Sequence, residues 1–548
     1  MTGKRKVFVV GVGMTKFTKP GSTGMDYPDL VKEAVGKALS DCKLRYENMQ
    51  QAVVGYIYGA SCSGQRCLYE LGMTGIPIFN VNNACASGSS GLIIMKQFIE
   101  SGSTDVGLCV GFEKMQPGSL DSMPNFDDRV NPVDKHVQVI ADTHGLEPHP
   151  MTAQMFGNAG REHMKLYGTT LEHFAKIGWK NHKHSVNNPN SQFQKEYTLD
   201  QVKNSKMIHY PLTLLQCSPT SDGAAAAVLC SESFLNSHPH LKERAVEIVA
   251  MALGTDLPSA FDQNSCLKMI GFDAAKKTAD QVYRQSGLGP NDVQLIELHD
   301  CFSANELITY EALGLCPIGR AGDLIDRGDN TYGGRWVINP SGGLISKGHP
   351  IGATGVAQCV ELSTHLRGEA GARQVPHARV GMQHNIGIGG ACVVAMYRLA
   401  YPKQPGAITA AASPTGGSIV QSSGSGGGSG PAMKSDWIFE QIKQRADSQE
   451  GAELAKKVAG SYRFTVTDGE RKKAWTIDLK KMPVFVGQKE GAVDCEITIS
   501  DDVMIKIAQG SLKPDQAFMQ GKMKMKGNMA KAMKLREILD VSKLKAKL

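Results

Sequence analysis

Residues 413–433, SPTGGSIVQSSGSGGGSGPAM, constrain this chain more than any other stretch. A run of glycine and serine this dense has no apolar surface to bury and behaves as a flexible linker. No single core can therefore extend through it, and the chain of 548 residues reads as two independently packed parts. We place a first domain at 1–405, a linker at 406–432 and a second domain at 433–548. With 41% hydrophobic and 21% charged residues, both parts have the composition of ordinary globular protein. No run approaches the roughly 20 apolar residues that span a bilayer. The start, MTGKRKVFVVGVGMTKF, has a short apolar segment ending in glycines and reads as a first strand, not as a cleaved signal. The 13 cysteines show no C-x-x-C pairs or His-rich partners, which argues against a zinc site or a disulfide framework and for a reducing compartment.

Charge divides at the same boundary. Residues 433–548 carry 23 Lys+Arg against 16 Asp+Glu, an excess equal to the whole chain's formal +7. Such a basic part can meet phosphates, anionic lipid or acyl-CoA, or simply solvate a face. No nucleic-acid motif accompanies it, so nucleic acid ranks last.

The first part is glycine-rich and alternates apolar strands (KVFVVGVG, AAAAVLC, DVQLIELHD, CVVAMYRLA) with helix-like segments. That alternation predicts an α/β fold with buried sheet strands. Within it, IPIFNV (76–81) reads as a buried strand and SSGLIIMKQFIESG (89–102) as a helix. Cys85 falls between them in VNNACASGSSG, near the helix N-terminus, where exposed N–H groups lower a thiol's pKa. Small neighbours leave room for a substrate or a second backbone. The plain alternative is a buried structural cysteine, since the thiol packs as a small hydrophobe.

Three more loops stand at strand or helix ends, where α/β scaffolds place their sites. LHDCFSANE (298–306) brings His299, Asp300 and Cys301 together, NPSGGLISKGHPIGATG (339–355) holds His349, and QHNIGIGGACVV (383–394) is a glycine-rich turn. Each alone has a structural reading: an Asx turn, a packing histidine, a loop resembling a phosphate cradle only superficially. VFVVGVG lacks the third glycine and the acidic residue of a dinucleotide fingerprint.

Taken in order, the four segments resemble the thiolase superfamily over essentially all of residues 1–400. NACASG resembles the block around the thiolase nucleophile, and GHPIGATG the catalytic-histidine block. SPTSDGAAAAVL (218–229) is similar to the segment that ends the family's first half. HDCF stands where most thiolases have Asn-Glu-Ala-Phe. The family's second cysteine position, in Cys-x-Gly, aligns with Asn385, and Gly387 is that motif's glycine. Cys392, seven residues on, belongs to the next strand and is not assigned to catalysis. Cys301 stands ready as the replacement thiol, an exchange characteristic of the sterol-carrier-protein type of thiolase.

The resemblance implies a thiolase fold of two similar halves, layered α-β-α-β-α, each with a five-stranded sheet. The halves would be about 1–250, with a loop insertion at about 115–215, and about 251–405. It further implies a homodimer that cleaves 3-ketoacyl-CoA with coenzyme A as co-substrate and no permanently bound cofactor or metal. Cys85 would be the nucleophile, His349 its base, Cys301 the second acid/base, and His299 with His349 the enolate's donors. Backbone N–H groups of Cys85 and Gly387 would form the other oxyanion hole. Cys-His-His sets also occur in decarboxylating ketoacyl synthases; HDCF with its thiol favours the thiolase.

The second part reads as α+β. A helix candidate, WIFEQIKQRADSQEGAELAKKV, precedes two alternating strands joined at Asp-Gly in SYRFTVTDGERKKAWTIDLKK. A strand in AVDCEITIS, a helix in DDVMIKIAQG and a Met-rich tail follow. The whole resembles the sterol carrier protein two domain, which implies a separate small α+β unit binding lipids, sterols or fatty acyl-CoA. Phe518, Met519, Met523, Met525, Met529 and Met533 would line an adaptable cavity; from spacing alone they are as readily core, and Met523 and Met525 could even face opposite sides. The terminal Ala546, Lys547 and Leu548 form a variant of the Ser-Lys-Leu signal, which implies an import receptor and a peroxisomal matrix location.

Overall fold

A computed structural model describes residues 5–117 and 130–401. In the C-terminal part it describes 433, 435–446, 455, 458, 460–469, 471–480, 484–487, 492–508, 517 and 522–527. The chain separates into two compact units, Met1–Thr409 and Ala410–Leu548.

In the first unit the strands are β1 (Val7–Met14), β2 (Gln51–Gly55), β3 (Ile78–Val81), β4 (Val106–Glu113), β5 (Met207–His209), β6 (Leu212–Thr213), β7 (Gly223–Ser231), β8 (Val246–Gly254), β9 (Leu295–Glu297), β10 (Val337–Ile338), β11 (Val380–Gly387) and β12 (Ala391–Leu399). β5 and β6 pair as a separate hairpin. The other ten form one mixed sheet in the order β10-β9-β11-β12-β8-β1-β7-β4-β2-β3. Either side of the β8–β1 junction the order is the same: third, second, fourth, fifth and first strand of its half. The two similar halves are thus present, but their sheets are hydrogen-bonded into one through Phe8↔Glu247 and Val9↔Val246.

The layers follow from which faces are apolar. Helices Ser87–Glu100 and Thr354–Leu366 pack between the halves, Leu92, Met95 and Ile99 meeting Val356, Val360 and the inner faces of β1, β7, β8 and β12. Outside the first half lies helix Tyr27–Cys42, and outside the second lies Phe272–Ser286. Their buried rows supply the remaining two layers.

One expectation fails. IPIFNV forms β3, but Phe79 is 42% exposed. β3 ends the sheet and pairs only with β2, so one edge is uncovered among the described residues. A buried run and an edge strand destined for another surface read alike in one sequence.

In the second unit, β13 (Ser461–Asp468), β14 (Arg471–Asp478), β15 (Phe485–Gly487), β16 (Cys495–Ser500) and β17 (Met523–Gly527) form a five-stranded sheet in the order β15-β14-β13-β16-β17. The β13–β14 hairpin turns at Gly469, whose φ of 61° suits glycine. Helix Asp436–Ala446 places Phe439 flat on Trp475, ring centroids 4.8 Å apart. Met523 is buried in this core. Residues 523 and 525 lie two positions apart on one strand, opposite Ile499 and Ile497. Phe518, Met519, Met529, Met533 and Ala546–Leu548 lie outside the described residues.

Candidate active site

Cys85 is aimed by a strained elbow. Ala84 before it has φ 47°, a left-handed conformation uncommon for a residue with a side chain. The elbow is braced by serines of the following helix: Asn83 N–H donates to Ser87 Oγ (2.9 Å), Ser87 Oγ to the Ala84 carbonyl (2.7 Å), and Asn83 Nδ2 to Ser90 Oγ (2.9 Å). The small residues after Cys85 turn out to serve a helix crossing. A Cβ on Gly88 would stand 2.7 Å from the Gly352 carbonyl oxygen and 3.0 Å from the Val356 nitrogen. Glycine lets the nucleophile's helix and the histidine's helix approach backbone to backbone.

His349 comes to Cys85 through that crossing. Cys85 Sγ and one ring nitrogen each from His299 and His349 lie within 4.8 Å of one another. The two imidazoles meet edge to face, centroids 5.2 Å apart. His349 Nδ1 bonds Thr354 Oγ1 at 2.6 Å, and that hydroxyl donates to the Pro350 carbonyl at 3.0 Å. The hydroxyl's single proton being so placed, Nδ1 is the donor to it. Nε2 is then the lone-pair nitrogen, and it is buried with no partner among the described residues. Burial, then the Lys347 charge, holds the His349 pKa down to about 3, so the ring is a neutral base.

His299 is set the opposite way by a relay of buried hydrogen bonds. The Gln383 amide nitrogen donates to the Gly355 carbonyl (2.7 Å) and to Ser89 Oγ (3.0 Å), while its oxygen accepts from Tyr397 (2.6 Å). Ser89 then gives its proton to Asn385 Oδ1 (3.0 Å), and Asn385 Nδ2 donates to His299 Nδ1 (3.0 Å). An accepting Nδ1 leaves the ring's proton on Nε2. Burial first, and then His349 and His384, push the His299 pKa well below its ordinary value, so the ring stays neutral. The site thus pairs one imidazole that accepts with one that donates.

The thiols do not match the expectation of a spontaneously ionised cysteine. Burial pushes Cys85 up to about 12, outweighing the help of its own N–H, and the carboxylate of Glu113 adds to the rise. Half-exposed as a residue, Cys85 still has its sulfur too desolvated for the dipole to win; a base must take its proton. Cys301 is buried and likewise raised well above the ordinary thiol value, by burial and then by charge on Cys85. A thiolate on Cys85 would disfavour a second one on Cys301.

Between His299 and Cys301, Asp300 points elsewhere. It accepts N–H bonds from Leu344 (2.7 Å) and Ile345 (3.2 Å) and from Asn181 Nδ2 (2.8 Å), so it anchors the loop ahead of His349. Asn181 belongs to helix Leu171–Ser185 of the segment between β4 and β7. Gly387 closes the site from β11, where any Cβ would collide with the Asn83 carbonyl beside the elbow. Cys392 is buried on β12 opposite Gly254, in the core.

His384 neighbours the relay and has both ring nitrogens buried without a partner among the described residues. Burial lowers its pKa to about 3. Unfolded, it would titrate near the ordinary 6.5, so its neutral form favours the fold above that pH and this contribution is lost as pH falls toward 3. His384→Leu is expected to gain about 2 kcal/mol on wild type between pH 6.5 and 5. Urea unfolding at both pH values measures this; an unchanged difference would mean that His384 titrates normally.

Sequence reasoning named Cys85, His299, Cys301 and His349, of which the structure brings Cys85, His299 and His349 together, and it did not name Thr354, Ser89, Gln383 or Tyr397. It saw Asn385 only where a cysteine was expected. Thr354 was five residues from His349 and open to notice; the relay joins residues almost 300 apart.

The thiolase N-terminal domain model matches residues 7–233, a thiolase C-terminal domain-like model 259–396, and the SCP-2 sterol transfer family 439–540. Sterol carrier protein 2 of Bos taurus is 54% identical over 540 residues, covering 98% of this chain and 96% of that protein. Non-specific lipid-transfer protein-like 2 of Caenorhabditis elegans is 66% identical over 401 residues, 73% of this chain and 97% of that one. The crystal structure of human mitochondrial 3-ketoacyl-CoA thiolase shares the fold, with a TM-score of 0.54 at 19% identity, covering 72% of this chain and 99% of that one. The chain therefore belongs to the sterol carrier protein 2 family, in which a thiolase-type acyltransferase is joined to a domain of the SCP-2 sterol transfer family.

Proposed function

We propose that the first unit cleaves 3-ketoacyl-CoAs with coenzyme A, taking straight-chain, 2-methyl-branched and bile-acid-type side chains. The second unit would bind and transfer lipids, sterols or fatty acyl-CoA. The observation that carries the reading is the convergence of Cys85 Sγ with one ring nitrogen each of His299 and His349 within 4.8 Å, together with a buried His349 Nε2 that has no partner among the described residues.

The chemistry follows from that arrangement. His349 Nε2 takes the Cys85 proton as the sulfur adds to the 3-keto carbon. The oxyanion formed there is received by the N–H groups of Cys85 and Gly387. The C2–C3 bond then breaks, leaving an acyl thioester on Cys85 and an enolate of the shortened CoA ester. His299 Nε2–H and the now protonated His349 hold that enolate, the former through a water, and Cys301 protonates its carbon. Cys301, now a thiolate, deprotonates incoming CoA, whose sulfur attacks the acyl group and frees Cys85. Two neutral imidazoles and two raised thiols suit this because protons pass between groups without net charge entering the buried site.

The proposal includes dimerisation through the thiolase unit, supported by the uncovered β3 edge with its exposed Phe79. It also includes a peroxisomal matrix location and an import receptor, which rest on the terminal Ala-Lys-Leu. The test is CoA-dependent loss of enolate absorbance from medium-chain and 2-methyl-branched 3-ketoacyl-CoAs. Absence of cleavage in every substrate would leave a lipid carrier on a silent scaffold. Condensation of a malonyl thioester would identify a decarboxylating synthase instead.

A further inference from the structure

Away from the catalytic trio, Glu147, His149 and His209 converge on one point. His149 Nδ1 and His209 Nδ1 are 3.0 Å apart. Glu147 Oε2 is 3.1 Å from the first and 3.7 Å from the second. Zinc with bonds of 2.0–2.1 Å in a tetrahedron has ligand atoms about 3.3 Å apart. The three edges bracket that value, so these atoms describe one face of a zinc tetrahedron.

Protonation supports the geometry. Arg161 Nη1 donates to Asn158 Oδ1 at 3.3 Å, which identifies that atom as the amide's oxygen. His209 Nε2, 3.1 Å from the same oxygen, must then be the donor, and Nδ1 the lone pair. An outer partner that fixes a ligating imidazole in this way is typical of metal sites. The His209 Nδ1 lone pair therefore faces His149 Nδ1 and Glu147 Oε2, so three possible ligand atoms converge. A cation would satisfy all three.

The frame is also built. Gln154 accepts from the Glu147 N–H (3.0 Å) and donates to the carbonyls of Glu147 and His149 (both 2.8 Å). His209 is buried at the end of β5. The Arg161–Glu147 ion pair runs through Oε1, at 3.8 Å, while Oε2 faces the two imidazoles.

We propose that Glu147, His149 and His209 form a zinc site, with solvent completing the coordination. Two imidazoles and a carboxylate suit zinc, with Co2+ as a spectroscopic substitute. The ion would clip the loop before helix Met151–Tyr167 to the β5–β6 hairpin. That helix stacks Phe156 on Phe302, ring centroids 5.2 Å apart, next to Cys301. The sequence held no sign of it, because the two histidines are 60 residues apart.

The test is Co2+ titration of the full chain carrying Cys85→Ala, which removes the sulfur of the catalytic trio as a competing ligand. We expect one Co2+ per chain, visible bands of a four- or five-coordinate ion without a thiolate charge-transfer band, and displacement by Zn2+. His149→Ala and Glu147→Gln alter partly exposed side chains; each should weaken binding at least about tenfold, the lower bound for losing even an outer partner. Near-UV circular dichroism checks that both variants fold. Absence of Co2+ bands, or binding of unchanged strength in both folded variants, would overturn the site. Because the readout is metal binding, it stands or falls independently of the thiolase reaction.

Discussion

Cys85→Ala is expected to abolish CoA-dependent cleavage, lowering turnover on the order of 10⁴-fold or more, as removal of a nucleophile that acts with its base does. Two features make the loss this large. Among the described residues, Cys85 supplies the sulfur that groups with ring nitrogens of His299 and His349. Cys301, the nearest candidate substitute, is buried and held well above the ordinary thiol value. Alanine keeps the small residue that the crossing of helices Ser87–Glu100 and Thr354–Leu366 tolerates, so the fold should survive. Lipid binding by the second unit should be unchanged, which separates loss of chemistry from loss of protein. Retention of more than a few per cent of wild-type turnover would move the nucleophile elsewhere, with Cys301 next in line.

Asn385→Asp should cost on the order of 10²-fold in turnover, the scale of one lost oxyanion donor. The substitution changes one amide nitrogen to an oxygen at the end of the relay. Ser89 still finds an acceptor, but His299 Nδ1 now faces a carboxylate oxygen instead of the N–H that reaches it at 3.0 Å. The ring then carries its proton on Nδ1, and Nε2 presents a lone pair to a developing enolate oxygen. KM should change little, since the ground-state contacts remain. The variant should also gain a new pH dependence, because the carboxylate raises the imidazole's pKa toward the working range. A merely structural role for Asn385 would produce neither the split between kcat and KM nor the altered pH profile. Equal turnover in wild type and variant would rule out the donor role of His299.

How much of this could be read beforehand depends on what each feature is made of. The two-part division rests on a Gly/Ser tract that can only be a linker, and it needs no coordinates. Strands β1, β7 and β12 were evident as apolar runs, and the β13–β14 hairpin as alternation around Asp468-Gly469. β3 misled because burial depends on what lies beyond the sheet edge.

In the site, residue identity was sequence information: Cys85, His299, Cys301 and His349 are each carried by a recognisable block. Their states were not. Whether Cys85 ionises by itself was a contest between a helix end and burial, and only packing density decided for burial. Which nitrogen of each imidazole holds the proton was settled by hydrogen-bond direction, from Thr354 for one ring and from Gln383 through Ser89 and Asn385 for the other. The sequence alone determined which chemical groups are present and in what order. Tertiary structure decided which of them accept and which donate, because a proton's position depends on neighbours that the chain brings together from residues hundreds of positions apart.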